Sequence, residues 1–114
     1  MRILVVEDDA GVRETLRDLL AAAGHHVTTA TGFAEARALL RRRVWDVMLT
    51  DLILPGGSGL DLAAEAQAQG LGAVVCSGHP TSIAQLQSQG IALLVKPFSA
   101  EALETALRAV TRGG

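Results

Sequence analysis

Five side chains of this sequence combine into one piece of chemistry. Glu7 and Asp8 stand together near the start, Asp51 near the middle, and Ser77 and Lys96 follow at wide intervals. Carboxylates brought close together repel and raise one another's pKa, and a bound divalent cation removes that repulsion. A small set of oxygen-only ligands suits Mg2+, which keeps several waters and often engages a phosphate. Lys96 adds a fixed positive charge and Ser77 a hydroxyl donor. With the metal, they would neutralise the equatorial oxygens of a phosphoryl group in transfer. The nucleophile would be a carboxylate, giving an aspartyl phosphate. Asp51 is the best candidate, because it stands alone at the end of the central apolar run.

Residues so far apart in sequence act together only if the fold converges them. Apolar runs at 3–6, 26–30, 44–50, 73–76 and 91–95 read as strands, each followed by an amphipathic stretch. The first stretch carries Val12, Leu16, Leu19, Leu20 and Ala23, with Asp9 as its cap and Gly24 as its stop. Thr31 is expected to cap a second helix bearing Ala36, Leu39 and Leu40, with Arg41, Arg42 and Arg43 in its last turn, where cations suit the dipole. Helices are also expected over 60–68, with Ser58 as a cap, and over 81–88, a shorter one ended by Gly90. The last helix is capped by Ser99 and carries Leu103, Leu107 and Val110. Strict alternation implies an α/β fold: a five-stranded parallel sheet, doubly wound as (βα)5 and flavodoxin-like. In such folds ligands bind outside the carboxyl ends of the strands, where the strand order switches. Glu7-Asp8, Asp51, Ser77 and Lys96 end the first, third, fourth and fifth runs. Polar residues follow strands in any protein, because loops are exposed. That accounts for one or two of these positions, and poorly for three acids, a hydroxyl and a lysine on one edge.

Composition narrows the classes. A chain of 114 residues, 49 % apolar, fits one domain over 1–114 with a real core. A formal charge of −2 suggests neither a nucleic-acid nor a membrane footprint. One cysteine excludes an internal disulfide, and no secretory signal or membrane-crossing run is seen, so the chain is read as soluble and cytoplasmic. His25, His26 and His79 read as surface residues, and Cys76 and Trp45 as packing. Gly56, Gly57 and Gly59 read as a flexible loop after Pro55, because no Gly-Lys-Ser/Thr follows to make a phosphate cradle.

Four stretches, in order, resemble those of bacterial two-component response-regulator receiver domains (CheY-like) over essentially the whole chain. They are Ile3-Leu4-Val5-Val6-Glu7-Asp8-Asp9, Leu49-Thr50-Asp51-Leu52 with Pro55 and Gly59, Val75-Cys76-Ser77-Gly78, and Lys96-Pro97-Phe98. The resemblance implies a phosphoacceptor that takes a phosphoryl group onto Asp51 from a histidine kinase or histidine phosphotransfer protein and then changes its protein contacts. Asp8, Asp51 and the backbone carbonyl of Ile53 would ligate Mg2+, with Glu7 acting through a metal-bound water. Ser77 would contact the phosphoryl group, and Lys96 would pair with Asp51 and then with the phosphate. The peptide before Pro97 is usually cis in the family. Such a chain is a self-modifying switch and not a turnover enzyme, with autodephosphorylation tuned by Ile53 and His79. A homodimer through the fourth helix, fifth strand and last helix belongs to the same resemblance.

Three departures stand out. The family's switch aromatic on the fifth strand is here Leu93, so Ser77 is expected to move while Leu93 only repacks. The segment between Asp51 and Lys96 is a few residues short, around the third and fourth helices. Ile53 offers no group to orient an attacking water, which predicts slow self-hydrolysis, offset if His79 positions water. Two other functions compete: a pseudo-receiver that binds partners without phosphorylation, and a haloacid-dehalogenase-like phosphatase. The phosphatase needs a second Asp where Ile53 stands and a cap domain for which there is no room. The Met1 start fits a stand-alone protein or an N-terminal receiver, and the Gly113-Gly114 end fits a linker.

Overall fold

Successive residues of a strand point to opposite sides, so a run that is apolar throughout must be covered on both faces. The computed structural model, which describes residues 1–78, 86 and 88–111, shows this arrangement. Strands β1 (Arg2–Val6), β2 (His26–Ala30), β3 (Val47–Asp51), β6 (Gly72–Ser77) and β7 (Ala92–Val95) form a parallel sheet in the order β2-β1-β3-β6-β7. A separate two-stranded ribbon, β4 (Ile53–Leu54) and β5 (Gly57–Ser58), lies just past the end of β3. The described helices are α1 (Ala10–Ala22), α2 (Phe33–Leu40), α3 (Gly59–Ala68) and α4 (Ala100–Thr111).

Alternate strand residues feed two cores. Leu4, Val6, Met48, Ala73 and Val75 pack with Ala36 and Leu40 of α2 and Leu62, Ala63 and Ala66 of α3. Ile3, Val5, Val47, Leu49, Val74 and Cys76 pack with Leu16 and Leu20 of α1 and Leu103, Ala106 and Leu107 of α4. The chain leaves β1 toward β2 and then returns across β1 to β3, so the strand order switches between β1 and β3. Their carboxyl ends carry Glu7 and Asp51. Among the described residues, no helix is long and apolar enough to cross a membrane.

Several local expectations change. The third strand begins at Val47 and not at position 44: Val44 is exposed, and Arg43 takes a left-handed turn at φ 54. Trp45 is core, as expected, and its Nε1–H donates to the Leu39 carbonyl at 2.8 Å. Arg41, Arg42 and Arg43 lie beyond the end of α2, and the basic residue in its last turn is Arg37. Thr31 is not the cap of α2. Gly32 holds that position, and Glu35 reaches back to accept from the Thr31 amide at 2.8 Å and its hydroxyl at 3.2 Å. The bond ties the residue before the cap to the first turn of α2. The glycines after Pro55 form no loose loop: Gly56, at φ 88, turns the ribbon so that Ile53 pairs with Ser58. Asp9, Ser58 and Ser99 cap as expected, accepting from the Val12, Leu60 and Ala102 amides. The expected helix over 81–88 falls mostly outside the described residues, though Leu86 is helical and buried against the first core.

Candidate functional site

The four strand ends converge. Glu7 follows β1 directly, held by its amide's bond to the Ala30 carbonyl at 3.0 Å. Asp51 ends β3 in register with Cys76, and Ser77 ends β6 in register with Val95, one residue before Lys96. One ligand oxygen from each of Glu7, Asp8 and Asp51 lies within 4.8 Å of the others. Among the described residues this is the one group of three potential metal ligands brought together. Lys96 Nζ reaches into the group, at 2.7 Å from Glu7 Oε1 and 3.4 Å from Asp51 Oδ2. The Lys96-Pro97 peptide is cis.

Sequence reasoning paired Lys96 with Asp51, and the shorter bond goes to Glu7. Burial explains this. Glu7 is 1 % exposed, so its ionised carboxylate depends on neighbours more than the half-buried Asp51 does. Burial pushes the Glu7 carboxyl above its ordinary 4.5; the Lys96 bond and the Asp9 amide oppose the rise, and the Asp51 charge adds to it. For Lys96 burial pulls the ammonium down, but the bond to Glu7 and the Glu7 and Asp51 charges outweigh it and leave the pKa raised.

Between 4.5 and its raised folded value, Glu7 binds more protons in the folded chain than in the unfolded one. Stability of the metal-free chain therefore falls as pH rises through that window. A Glu7→Gln variant removes the buried charge. Its unfolding free energy at neutral pH in EDTA is expected to rise by about 1 kcal/mol, the scale of strain stored at functional sites. Urea denaturation at acid and neutral pH measures it, and a variant less stable than the parent at neutral pH would contradict the assignment.

The remaining expected residues fall as follows. Ser77 is buried, and its carbonyl accepts from the Lys96 amide at 2.9 Å. Ile53 stands on β4 with its residue 76 % exposed beside the site. Leu93 is half-buried on β7, against the core shared with α2 and α3. His79 lies outside the described residues. Cys76 is a core residue whose thiol burial pushes up to about 12, which makes it inert as a nucleophile.

Three supporting residues were not singled out for this role from sequence. Gly59 opens α3 so close to the end of β3 that an added Cβ would overlap the Asp51 carbonyl oxygen, and its amide donates to Leu52 O at 2.7 Å. Arg13 Nη1 donates to the carbonyls of Glu7 at 3.0 Å and Asp8 at 3.3 Å. Thr50, fully buried, donates its hydroxyl to the Asp51 carbonyl at 2.9 Å. A basic residue one turn into the helix behind an acidic pair was a usable signal for Arg13. The closeness of α3 to β3 had no local signal.

Clustered hard oxygen donors, part exposed, fit a divalent oxygen-seeking cation, and the Asp51 carboxylate beside a lysine fits an acceptor of a phosphoryl group. Comparison with known proteins agrees. The model of the response regulator receiver domain matches residues 3–108. The chain is 36 % identical over 110 residues to the alginate biosynthesis transcriptional regulatory protein AlgB of Pseudomonas aeruginosa, covering 92 % of this chain and 24 % of that protein. It is 35 % identical over 116 residues to the sensor histidine kinase AruS of the same species, covering 94 % of this chain and 12 % of AruS. The chain thus spans a quarter or less of the length of these relatives. Among solved structures, the response regulator TrrA of Thermotoga maritima in complex with Mg2+ and BeF superposes with a TM-score of 0.84 at 27 % identity, covering 96 % of this chain and 97 % of that one. With this fold, this site and a match along most of its length, the chain belongs to the response regulator receiver domain family.

Proposed function

We propose that residues 1–114 act as one receiver domain, in the cytoplasm, that takes a phosphoryl group onto Asp51 from a phosphohistidine of a histidine kinase or phosphotransfer protein. The observation that carries this is the meeting of the Glu7, Asp8 and Asp51 oxygens within 4.8 Å, with Lys96 Nζ 3.4 Å from Asp51. Bound Mg2+ would offset the carboxylate repulsion and neutralise phosphoryl oxygens. Glu7, Asp8, Asp51 and the Ile53 carbonyl are the residues to hold it, Glu7 through water. An Asp51 oxygen attacks phosphorus, the phosphorus–nitrogen bond of the donor breaks, and the leaving imidazole takes up a proton. Oδ1 already accepts the Leu52 amide at 2.9 Å, which orients the carboxylate. Lys96 shifts from Glu7 toward the incoming phosphoryl group, and Ser77 donates to it.

The output is a change of protein contacts. Ser77 and Leu93 are its inner elements, and the groove of Leu93, Val95, Phe98, Ala102 and Thr105 between β7 and α4 is the face for a partner or a second copy. Ile53 and His79 set how long the phosphoryl group survives; an exposed apolar Ile53 implies slow self-hydrolysis. Intact mass after incubation with Mg2+ and acetyl phosphate tests the proposal. One phosphate adduct is expected in the parent, and none in Asp51→Asn or with EDTA. No adduct under any condition would leave a pseudo-receiver, and steady hydrolysis of a generic phosphate ester would point to a phosphatase.

A further inference from the structure

The two acids that follow β1 sit on a segment with little ladder to hold it. Pairing of β1 with β2 and with β3 ends at Val6 in both cases. Beyond it the Glu7 amide still reaches Ala30, but Asp8 and Asp9 are exposed. Arg13, half-buried on the first turn of α1, spans this gap. Its Nη1 carries two hydrogens and meets two successive carbonyls, Glu7 O at 3.0 Å and Asp8 O at 3.3 Å. These belong to the two residues whose carboxylates this segment gives to the site. The turn is closed from the other side by the Asp9 amide on Glu7 Oε2 at 3.2 Å and by the Asp9 cap of α1.

We infer that Arg13 is a positioning residue: it clips the Glu7–Asp8 turn into the shape that receives the metal ion. The inference rests on the Mg2+ reading above. Its content is a sign. By charge alone, a guanidinium bonded to the backbone of two ligand residues weakens cation binding, so removing it would tighten the site. As a clip it pre-orders two ligands, and removing it loosens the site, as loss of partners behind metal ligands generally does. Two bonds from one nitrogen to the ligands' own backbone favour the clip, because they restrict the peptide on which both carboxylates turn.

Calorimetric titration of MgCl2 into the metal-free chain decides it. Arg13→Met keeps the aliphatic stem and removes charge and donors; its Mg2+ affinity is expected to drop about tenfold, the lower end for such partners. Arg13→Lys, with a cation and three donors, is expected to recover most of that loss. Melting in EDTA is expected to stay near the parent value for both, which separates a clip from a general stabiliser. If Arg13→Met does not fold, Arg13→Gln gives the same comparison. Affinity equal to or tighter than the parent's in the neutral variant overturns the inference while leaving the metal reading intact. No Mg2+ uptake by the parent overturns both.

Discussion

A Gly59→Ala chain is expected to lose both stability and the phosphorylation proposed for Asp51. An added Cβ would overlap the Asp51 carbonyl oxygen and crowd the carbonyl carbon behind it, so backbone and not a flexible side chain must give way. Overpacking of that kind costs about 3 kcal/mol when no rotamer can relieve it. The melting temperature should drop by roughly 10 °C or more in a domain of this size. The displaced atoms belong to Asp51, the proposed nucleophile, and misplacing a reacting group by about 1 Å costs on the order of 100-fold in rate. Thermal melting and the rate of adduct formation from acetyl phosphate measure the two losses. Gly78 is the matched control, since among the described residues an added Cβ there meets nothing within 4 Å. A Gly59→Ala chain as stable and as fast as Gly78→Ala would show that α3 does not approach β3 this closely.

Lys96→Met is expected to affect chemistry and pH dependence together. Lys96 pairs with both Glu7 and Asp51, so the substitution removes the one cation that faces both the proposed nucleophile and the buried acid. Loss of one preorganised donor to a developing charge slows a reaction by about 100-fold or more. Loss of a hydrogen bond between charged groups costs about 2 kcal/mol. Without the ammonium, burial of Glu7 is opposed mainly by the Asp9 amide, and its pKa rises further. The window in which stability falls with rising pH then extends upward from 4.5. Urea denaturation across acid to neutral pH should therefore show a decline that continues to higher pH than in the parent. Adduct formation within threefold of the parent, by the same ~100-fold yardstick, would remove Lys96 from the transfer step.

These two substitutions differ in how far sequence alone anticipates them. Lys96 is legible because a lysine directly after an apolar run stands out by type and place. Its preference for Glu7 over Asp51 is not, because it depends on which carboxylate the fold buries more deeply. Gly59 reads from sequence as part of a loose loop. In the structure it is the point where two elements touch, and the spacing of elements is not written in residue type. The second helix shows the same limit at small scale: Thr31 and Glu35 are both good capping residues, and only the backbone path through Gly32 settles which of them accepts the bonds.

The sequence by itself determined the alternation of the five sheet strands with the described helices, the parallel sheet, and the edge on which Glu7, Asp8, Asp51, Ser77 and Lys96 gather. These follow from hydrophobic periodicity and from which residues end each run, and both are local properties. Only the tertiary structure decided how those ends are held: Lys96 against Glu7, Arg13 across the carbonyls of Glu7 and Asp8, and α3 against the Asp51 carbonyl through Gly59. Those contacts join residues from different elements, and their energies turn on burial and on distances of a few tenths of an ångström that no single stretch of sequence encodes.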